Sequence, residues 1–183
     1  MYSGDWYKCL KHGVGEDDFA SGDSYKGQYQ FGKPWGTGTY VWRNGSTYTG
    51  EFKKGKKHGT GRWTKGREPK QCTFEGTYED DKKSGKGTFV WASGNRYKGD
   101  YKNDERHGYG VMNWTDGSCY KGDWVNGVQH GRGTMSFADG TLKTGLFENN
   151  VFIEEIIEEE PREHEESSMI VDSRDPDYEQ KLK

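Results

Sequence analysis

Two consecutive stretches of the chain decide its fold, because they carry the same pattern of residue types. They read YKGDYKNDERHGYGVMNWTDGSC over residues 97–119 and YKGDWVNGVQHGRGTMSFADGTL over residues 120–142. Each opens with aromatic-x-Gly-x-aromatic, passes through a mostly polar segment of six residues, and closes with Gly-x-Gly-x-apolar-x-aromatic before a final turn. Self-similarity at a fixed period is the signature of a repeat architecture.

The same unit recurs along most of the chain. Successive units open 23, 23, 26, 23 and 23 residues apart, at Tyr2, Tyr25, Tyr48, Phe74, Tyr97 and Tyr120. A seventh unit opens at residue 143 without the aromatic and stops after about half a repeat. The array is therefore predicted to cover residues 2–152.

The repeat explains the unusual amino-acid composition. A mean hydropathy of -1.21 with 31% charged residues is typical of a disordered chain, but 15% aromatic residues is not. Of the 28 glycines, 24 fall on four positions of the unit. Their positions, rather than their number, therefore carry the structural information.

Alternation at period two within each unit predicts two strands, so each unit is a hairpin. In the fifth unit one face would carry Tyr97, Gly99, Tyr101, Gly110 and Trp114, and the other would be largely polar. Regular glycines beside large rings indicate that the rings lie over exposed backbone. The predicted fold is all-β, an elongated single-layer antiparallel sheet of stacked hairpins, with roughly twelve strands over about 55 to 60 Å.

Turn signals fit this arrangement. Asn44-Gly45, Asp116-Gly117 and Asp139-Gly140 favour tight reversals between units. The third unit departs from the pattern, since Lys65 takes an aromatic position and residues 66–72 include three extra residues. A bulged loop is expected there.

Residues 120–140 resemble the MORN repeat, and six copies in register identify the array with that family. The resemblance implies a non-enzymatic scaffold, because MORN arrays accompany catalytic domains rather than supply catalysis. Small stand-alone MORN proteins are often cytoskeletal, and this chain is similar to those of ciliary axonemes, notably the radial-spoke head. A cytoplasmic, cytoskeleton-associated setting in a cilium or flagellum is therefore expected by analogy.

The aromatic-glycine face is the predicted site for an extended peptide or a helix from a partner protein. The aromatic residues predicted to bind partners, some of which must also be structural, are Tyr25, Tyr29, Trp42, Tyr48, Phe52, Trp63, Phe74, Tyr78, Trp91, Tyr97, Tyr101, Trp114, Tyr120 and Trp124.

No cofactor or metal site is predicted from the remaining motifs. His12, His58, His107 and His130 share one position, but units two strands wide separate them by about 10 Å, too far for shared zinc coordination, which favours turn packing. The Gly-x-Gly pairs lack the lysine and the strand-to-helix context of a phosphate-binding loop. Three cysteines without CxxC spacing indicate a reduced, intracellular protein, and no secretory signal or membrane span is apparent.

Charge is distributed unevenly along the chain. Residues 1–152 hold 23 bases and 18 acids, whereas residues 153–183 hold four bases and twelve acids. The array is thus +5 and the remainder -8. Lys53, Lys54, Lys56 and Lys57 form the densest basic loop, which is either a solvated turn or a contact with anionic lipid. A peripheral membrane or phosphoinositide adaptor is therefore the alternative function, whereas interspersed acids argue against nucleic acid binding.

The two ends of the array differ. Five apolar residues fit one face of a short helix, assigned to residues 153–160, that would cap the last hairpin: Val151, Phe152, Ile153, Ile156 and Ile157. Residues 161–183 form an acidic tail that is either disordered or folds on a partner. Residues 1–8 lack a cap, and such an open β edge predicts self-association or edge-on docking.

Overall fold

A computed structural model describes residues 1–67 and 69–156 of the chain. They form one open antiparallel sheet in which every strand pairs with its neighbours in chain order. The strands are β1 (Tyr2–Tyr7), β2 (Leu10–Asp18), β3 (Ser24–Gln30), β4 (Lys33–Val41), β5 (Thr47–Lys53), β6 (Lys56–Lys65), β7 (Cys72–Glu79), β8 (Lys82–Val90), β9 (Arg96–Lys102), β10 (Glu105–Asn113), β11 (Cys119–Val125), β12 (Val128–Ser136), β13 (Leu142–Glu148) and β14 (Val151–Glu155).

The all-β single sheet is confirmed, but it has fourteen strands rather than about twelve. The partial seventh unit supplies the additional hairpin, β13 and β14. The predicted helix is wrong for Ile153 to Glu155, which belong to β14 because the exposed edge of β13 offers them backbone hydrogen bonds. Residues 157–160 of that predicted helix and the acidic tail at 161–183 lie outside the described residues.

Two kinds of turn connect the strands. Within units the reversals take only two residues, both at positive φ, as at Asn126 (49°) and Gly127 (83°), which is the type I′ geometry that matches strand twist. Between units the predicted turns are confirmed, since Asp116 Oδ1 accepts the N–H of Ser118 at 2.8 Å and Gly117 has a φ of 92°. The irregular connection lies where expected, between β6 and β7.

A continuous row of glycines crosses the sheet, one from each of the first thirteen strands, each paired with the next. A Cβ atom added to Gly99 would lie 2.5 Å from the Cα of Gly110, and one added to Gly110 would lie 2.3 Å from Tyr97 Oη. Lack of space therefore requires glycine here. We call this the glycine row: Gly4, Gly15, Gly27, Gly38, Gly50, Gly61, Gly76, Gly87, Gly99, Gly110, Gly122, Gly133 and Gly145.

Rings cover the glycine row on one side, which we call the aromatic face. Thirteen rings follow one another in edge-to-face contacts with centroids 5.0–5.3 Å apart and interplanar angles of 71–90°. Each such pair contributes about 0.5–1.5 kcal/mol beyond its burial. This aromatic ladder runs in the order Tyr2, Tyr29, Tyr25, Phe52, Tyr48, Tyr78, Phe74, Tyr101, Tyr97, Trp124, Tyr120, Phe147 and Phe152.

The other glycine of each Gly-x-Gly pair lies at a bulge. Gly108 has a φ of 60°, and the register shifts between His107 and Gly110. The N–H of Tyr109 donates to Asp100 Oδ2 at 3.3 Å, while Tyr97 Oη donates to the Asp100 carbonyl at 3.0 Å. Asp100 therefore stabilises the bulge through its side chain and the Tyr97 ring through its carbonyl. Sequence alternation alone does not predict this arrangement.

Candidate partner-binding face

Ten of the fourteen aromatic residues predicted to bind partners lie in the core of the sheet. Their side chains are at most 6% exposed, because each ring is covered by its neighbours in the ladder. They hold the fold together and present little surface to a partner. These ten are Tyr25, Tyr29, Tyr48, Phe52, Phe74, Tyr78, Tyr97, Tyr101, Tyr120 and Trp124.

The other four predicted residues are half-buried tryptophans that pack against the ladder from one side. Trp42 lies 4.8 Å from Tyr40 and Trp91 lies 4.6 Å from Phe89, measured between ring centroids. We call Trp42, Trp63, Trp91 and Trp114 the tryptophan margin. Of the predicted set, these side chains combine a rigid support with accessible ring surface.

Among the described residues five cations lie over ladder rings, with Lys11 and Lys143 near the two ends of the sheet. The other three lie over the central rings, and the repeat pattern does not assign them to this face. Lys57 Nζ is 5.0 Å from the ring centroid of Tyr78 and 5.9 Å from that of Trp42. The Arg106 guanidinium lies 4.3 Å from the Trp124 ring.

Lys83 Nζ is the third of these cations and lies 5.5–5.8 Å from three rings. We call Lys57, Lys83 and Arg106 the cation track. Each occupies the second position of the second strand in its unit, two residues before the first glycine of the pair.

The cation track carries charge that the described residues barely neutralise. Burial lowers the pKa of Lys57, of Lys83 and of Arg106, which shows that each cation is partly removed from water. In the described part of the chain the only carboxylate within 4.0 Å of any of the three is Asp104, whose Oδ1 is 3.9 Å from Lys83 Nζ. Exposed pairs of this kind contribute about 0–1 kcal/mol.

The first unit shows how the same position behaves when a carboxylate is present. Lys11 Nζ lies over the ring of Tyr2, 4.9 Å from the centroid, and forms an ion pair with Asp17. Asp17 is only 5% exposed and takes the position that Met112 fills in the fifth unit. A carboxylate is thus accommodated on the aromatic face beside a ring-bound cation.

Burial also affects the ladder phenols. It raises the pKa of Tyr120, and of Tyr40 beside the ladder, to about 12. Burial raises the pKa of Tyr25, Tyr48 and Tyr97 still further. These phenols are therefore neutral at physiological pH, and the charge of the aromatic face around them comes from its cations and, in the first unit, also from Asp17.

The opposite face of the sheet has an open groove over the central strands. Thr60, Arg62, Glu75, Lys98 and Tyr109 are among the side chains that line it. Its charges are of both signs, and Tyr109 is 56% exposed. This groove is the natural comparison surface for any binding test on the aromatic face.

The basic loop predicted to contact lipid is divided by the fold. Lys53, Lys54 and Lys56 are exposed around the β5–β6 turn, and Lys56 Nζ lies 3.7 Å from Asp80. Lys57 instead belongs to the cation track. Three lysines rather than four are therefore available at the turn itself.

His12 packs beside turns, with its ring centroid 5.4 Å from that of Tyr7 and 5.6 Å from that of Phe31. Across residues 1–67 and 69–156 no three His, Cys, Asp or Glu side chains come together in a metal-binding arrangement. Within the same residues no helix is long and apolar enough to cross a membrane.

Strand β1 pairs on one side only, and Trp6 within it is 60% exposed.

Comparison with protein families assigns the repeats. The MORN repeat model matches residues 25–47, 48–66, 74–96, 97–119 and 120–142, which is more than half of the chain. The first unit and the partial seventh are outside these matches, yet both form hairpins that continue the same glycine row. A search of curated proteins gave no match.

Proposed function

Since this chain belongs to the MORN-repeat family, whose repeats generally bind proteins or lipids, we propose that it is a non-enzymatic scaffold that binds segments of partner proteins along its aromatic face. The supporting observation is the tryptophan margin, in which half-buried rings stand on a rigid aromatic core. The ten buried rings serve as the support, and the margin and the cation track make the contacts.

Physical chemistry favours this use of the margin. Tryptophan is enriched among the few residues that carry most of the binding energy at protein interfaces. Ring contacts at 4.6–4.8 Å already hold Trp42 and Trp91 in place, so little side-chain entropy remains to be lost on binding. The sheet extends over thirteen strand spacings, about 62 Å, which suits a long segment rather than a compact ligand.

The test compares the two faces in the full chain. Partners are captured from the native cell by the wild type, by a Trp63→Ser/Trp91→Ser variant and by a Tyr109→Ser/Val111→Ser variant on the opposite face. Loss of two hot-spot rings should reduce the recovery of specific partners at least about tenfold, whereas the opposite-face variant should recover wild-type amounts. Urea midpoints of all three proteins control for folding.

The reverse pattern would refute the proposal for the aromatic face. If Trp63→Ser/Trp91→Ser folds and retains every partner while Tyr109→Ser/Val111→Ser loses them, the groove on the opposite face is the binding surface.

The proposed setting is a cytoskeletal assembly, with a ciliary axoneme preferred. That setting is supported only by the resemblance to stand-alone proteins of the same repeat. Immunolocalisation in a ciliated cell of the source organism is the direct test. A diffuse signal that does not coincide with microtubule structures would contradict the proposed setting.

The alternative function is contact with anionic membranes through the β5–β6 turn, supported by the exposure of Lys53, Lys54 and Lys56. Each such lysine contributes about 1 kcal/mol near an anionic surface. Binding to phosphatidylserine vesicles that disappears in a variant with all three changed to Gln would favour it. No binding at low salt would eliminate it.

Self-association at β1 is a separate proposal, supported by the one-sided pairing of that strand and by the exposure of Trp6. An edge strand is a template for another strand. Sedimentation equilibrium should show a dimer that Trp6→Lys weakens, and a monomer at every concentration would contradict it.

A further inference from the structure

The cation track is an incomplete version of the arrangement that the first unit completes. There, Asp17 lies on the aromatic face and neutralises the ring-bound Lys11. In the third and fifth units the equivalent Lys57 and Arg106 have no carboxylate of the described residues within 4.0 Å. The first unit shows that this face accommodates a carboxylate beside a ring-bound cation. In the third and fifth units the position of Asp17 holds Trp63 and Met112, so a carboxylate there must come from another segment.

The distance between neighbouring cations of the track determines which peptide conformation could pair with them. Lys57, Lys83 and Arg106 lie on β6, β8 and β10, so neighbours are two strands apart. Two strand spacings are about 10 Å. A peptide in the extended polyproline II conformation advances about 9 Å in three residues and has three residues per turn, so every third side chain points to the same side. An extended peptide with acids at every third position, running across the strands, therefore matches the track.

We propose that the cation track binds an extended acidic peptide and that its occupant is the acidic segment 157–183 of this same chain. That segment holds ten Asp and Glu against four Lys and Arg, a net charge of -6, whereas residues 1–152 carry +5. Charge complementarity thus favours the chain's own C-terminal segment over a neutral partner peptide.

The length of the segment permits this docking. Ile156 follows β14, and β6 lies eight strands away, a distance of about 38 Å across the sheet. The 27 residues that follow Ile156 span at most about 90 Å when extended. The track is within reach with chain to spare.

The acids of the segment have the required period. Glu160, Glu163 and Glu166 are three residues apart, and so are Asp172 and Asp175. Glu160 spans at most about 14 Å from Ile156, short of β10 at about 19 Å, so Glu163 and Glu166 are the first acids of this series that reach the track. Between these two groups lies the stretch Met169-Ile170-Val171, an apolar element that suits the neighbouring tryptophan margin. The proposal rests on the proposed function in that it uses the same face, where the segment would compete with partner segments.

Zero-length carbodiimide cross-linking of the purified full chain tests the proposal, because it joins lysine amines to carboxylates only where they are in contact. We expect links from Lys57 and Lys83 to acids between residues 158 and 179. Their yield should fall at least about fivefold between 0.1 M and 1 M salt, since the Debye length shrinks from about 10 Å to about 3 Å.

Two controls make the result specific. Lys98 on the opposite face should give no such links. The variant Glu160→Gln/Glu163→Gln/Glu166→Gln, which changes no residue of the sheet, should lower the yield of links at Lys57 and Lys83. Mixing isotope-labelled and unlabelled chains should give links within one chain only. Links that join two chains, links mainly to Lys53 or Lys98, or no links from residues 158–179 would each overturn the proposal.

The outcome is separable from that of the proposed function. Cross-linking uses the purified chain without partners, whereas the tryptophan variants are judged by the partners that they recover. Absent cross-links with partner loss in Trp63→Ser/Trp91→Ser would refute only the docked segment. Present cross-links with unchanged partner recovery would refute only the partner-binding role of the margin.

Discussion

Replacing one glycine of the glycine row should destabilise the sheet far more than replacing a turn glycine. In Gly110→Ala the new Cβ would lie 2.3 Å from Tyr97 Oη and 2.5 Å from Tyr97 Cζ, where ordinary contacts are 3.4–4 Å. The ring must therefore lift by about 1 Å to restore van der Waals separation. Tyr97 is 0% exposed and touches Tyr101 and Trp124 edge-to-face at 5.3 and 5.2 Å, so the movement disturbs both neighbours.

Displacing the Tyr97 ring would lower stability in three ways. Overpacking of this kind costs about 1–3 kcal/mol, and breaking the 3.0 Å hydrogen bond from Tyr97 Oη to the Asp100 carbonyl adds about 1 kcal/mol. Weakening of the two edge-to-face ring pairs adds about 1 kcal/mol more. We therefore expect Gly110→Ala to lower the free energy of unfolding by about 3–5 kcal/mol.

Gly117→Ala is the matched control. Gly117 has a φ of 92°, but nothing lies within 4 Å of the position of its Cβ. Only backbone strain opposes alanine there, at about 1–2 kcal/mol. Equilibrium unfolding in urea, followed by tryptophan fluorescence and by far-ultraviolet circular dichroism, measures both variants and tests whether the transition is single.

A double-mutant cycle identifies the cause. If the Tyr97 ring is what excludes a Cβ atom, Gly110→Ala should cost only about 1–2 kcal/mol in a Tyr97→Ala background, which corresponds to a coupling energy of about 2–3 kcal/mol. A cost for Gly110→Ala no larger than that for Gly117→Ala, or additive effects of Gly110→Ala and Tyr97→Ala, would show that the ring does not exclude the Cβ atom.

Three further predictions concern charge, turns and pH. Asp17→Asn should lower the free energy of unfolding by about 1–3 kcal/mol because it leaves Lys11 unpaired over the rings, while Glu16→Gln, which breaks an exposed pair, should cost under about 1 kcal/mol by the same urea assay. Asn126→Ala should cost about 1 kcal/mol and Asn126→Gly nearly nothing, because the φ of 49° favours Asn or Gly, and equal thermal midpoints would contradict this. Since burial raises the pKa of the ladder tyrosines above the unfolded value near 10, stability from their neutral form is intact below pH 10 and lost as pH rises beyond it, so urea midpoints should fall steeply between about pH 10 and 12.

The repeat makes most of the sheet predictable from the sequence. Aromatic and glycine residues alternate at period two, so the strands, their shared face and the cover of rings over glycines follow directly. Alternation does not predict the orientation of each ring. Tyr97 and its equivalents are buried because consecutive rings interlock edge-to-face, and this removes ten of the predicted contact residues from the surface.

The cation track does not follow from the repeat pattern, because the strands are longer than the pattern predicts. The six residues before each Gly-x-Gly pair have the composition of a polar loop, but the chain reverses in two residues and the strands extend into that segment. Alternation continued back from Gly59 to Lys57 places the lysine on the aromatic face. The isoleucines after Phe152 are similarly ambiguous in sequence, and the edge of β13 decides in favour of a strand.

Hydroxyl-radical footprinting of the full chain, with and without a captured partner, tests whether partners bind the aromatic face. Oxidation should fall at Trp63 and Trp91 when the partner binds and stay unchanged at Tyr109 on the opposite face. Protection of Tyr109 with unchanged oxidation of the tryptophan margin would contradict binding at the aromatic face.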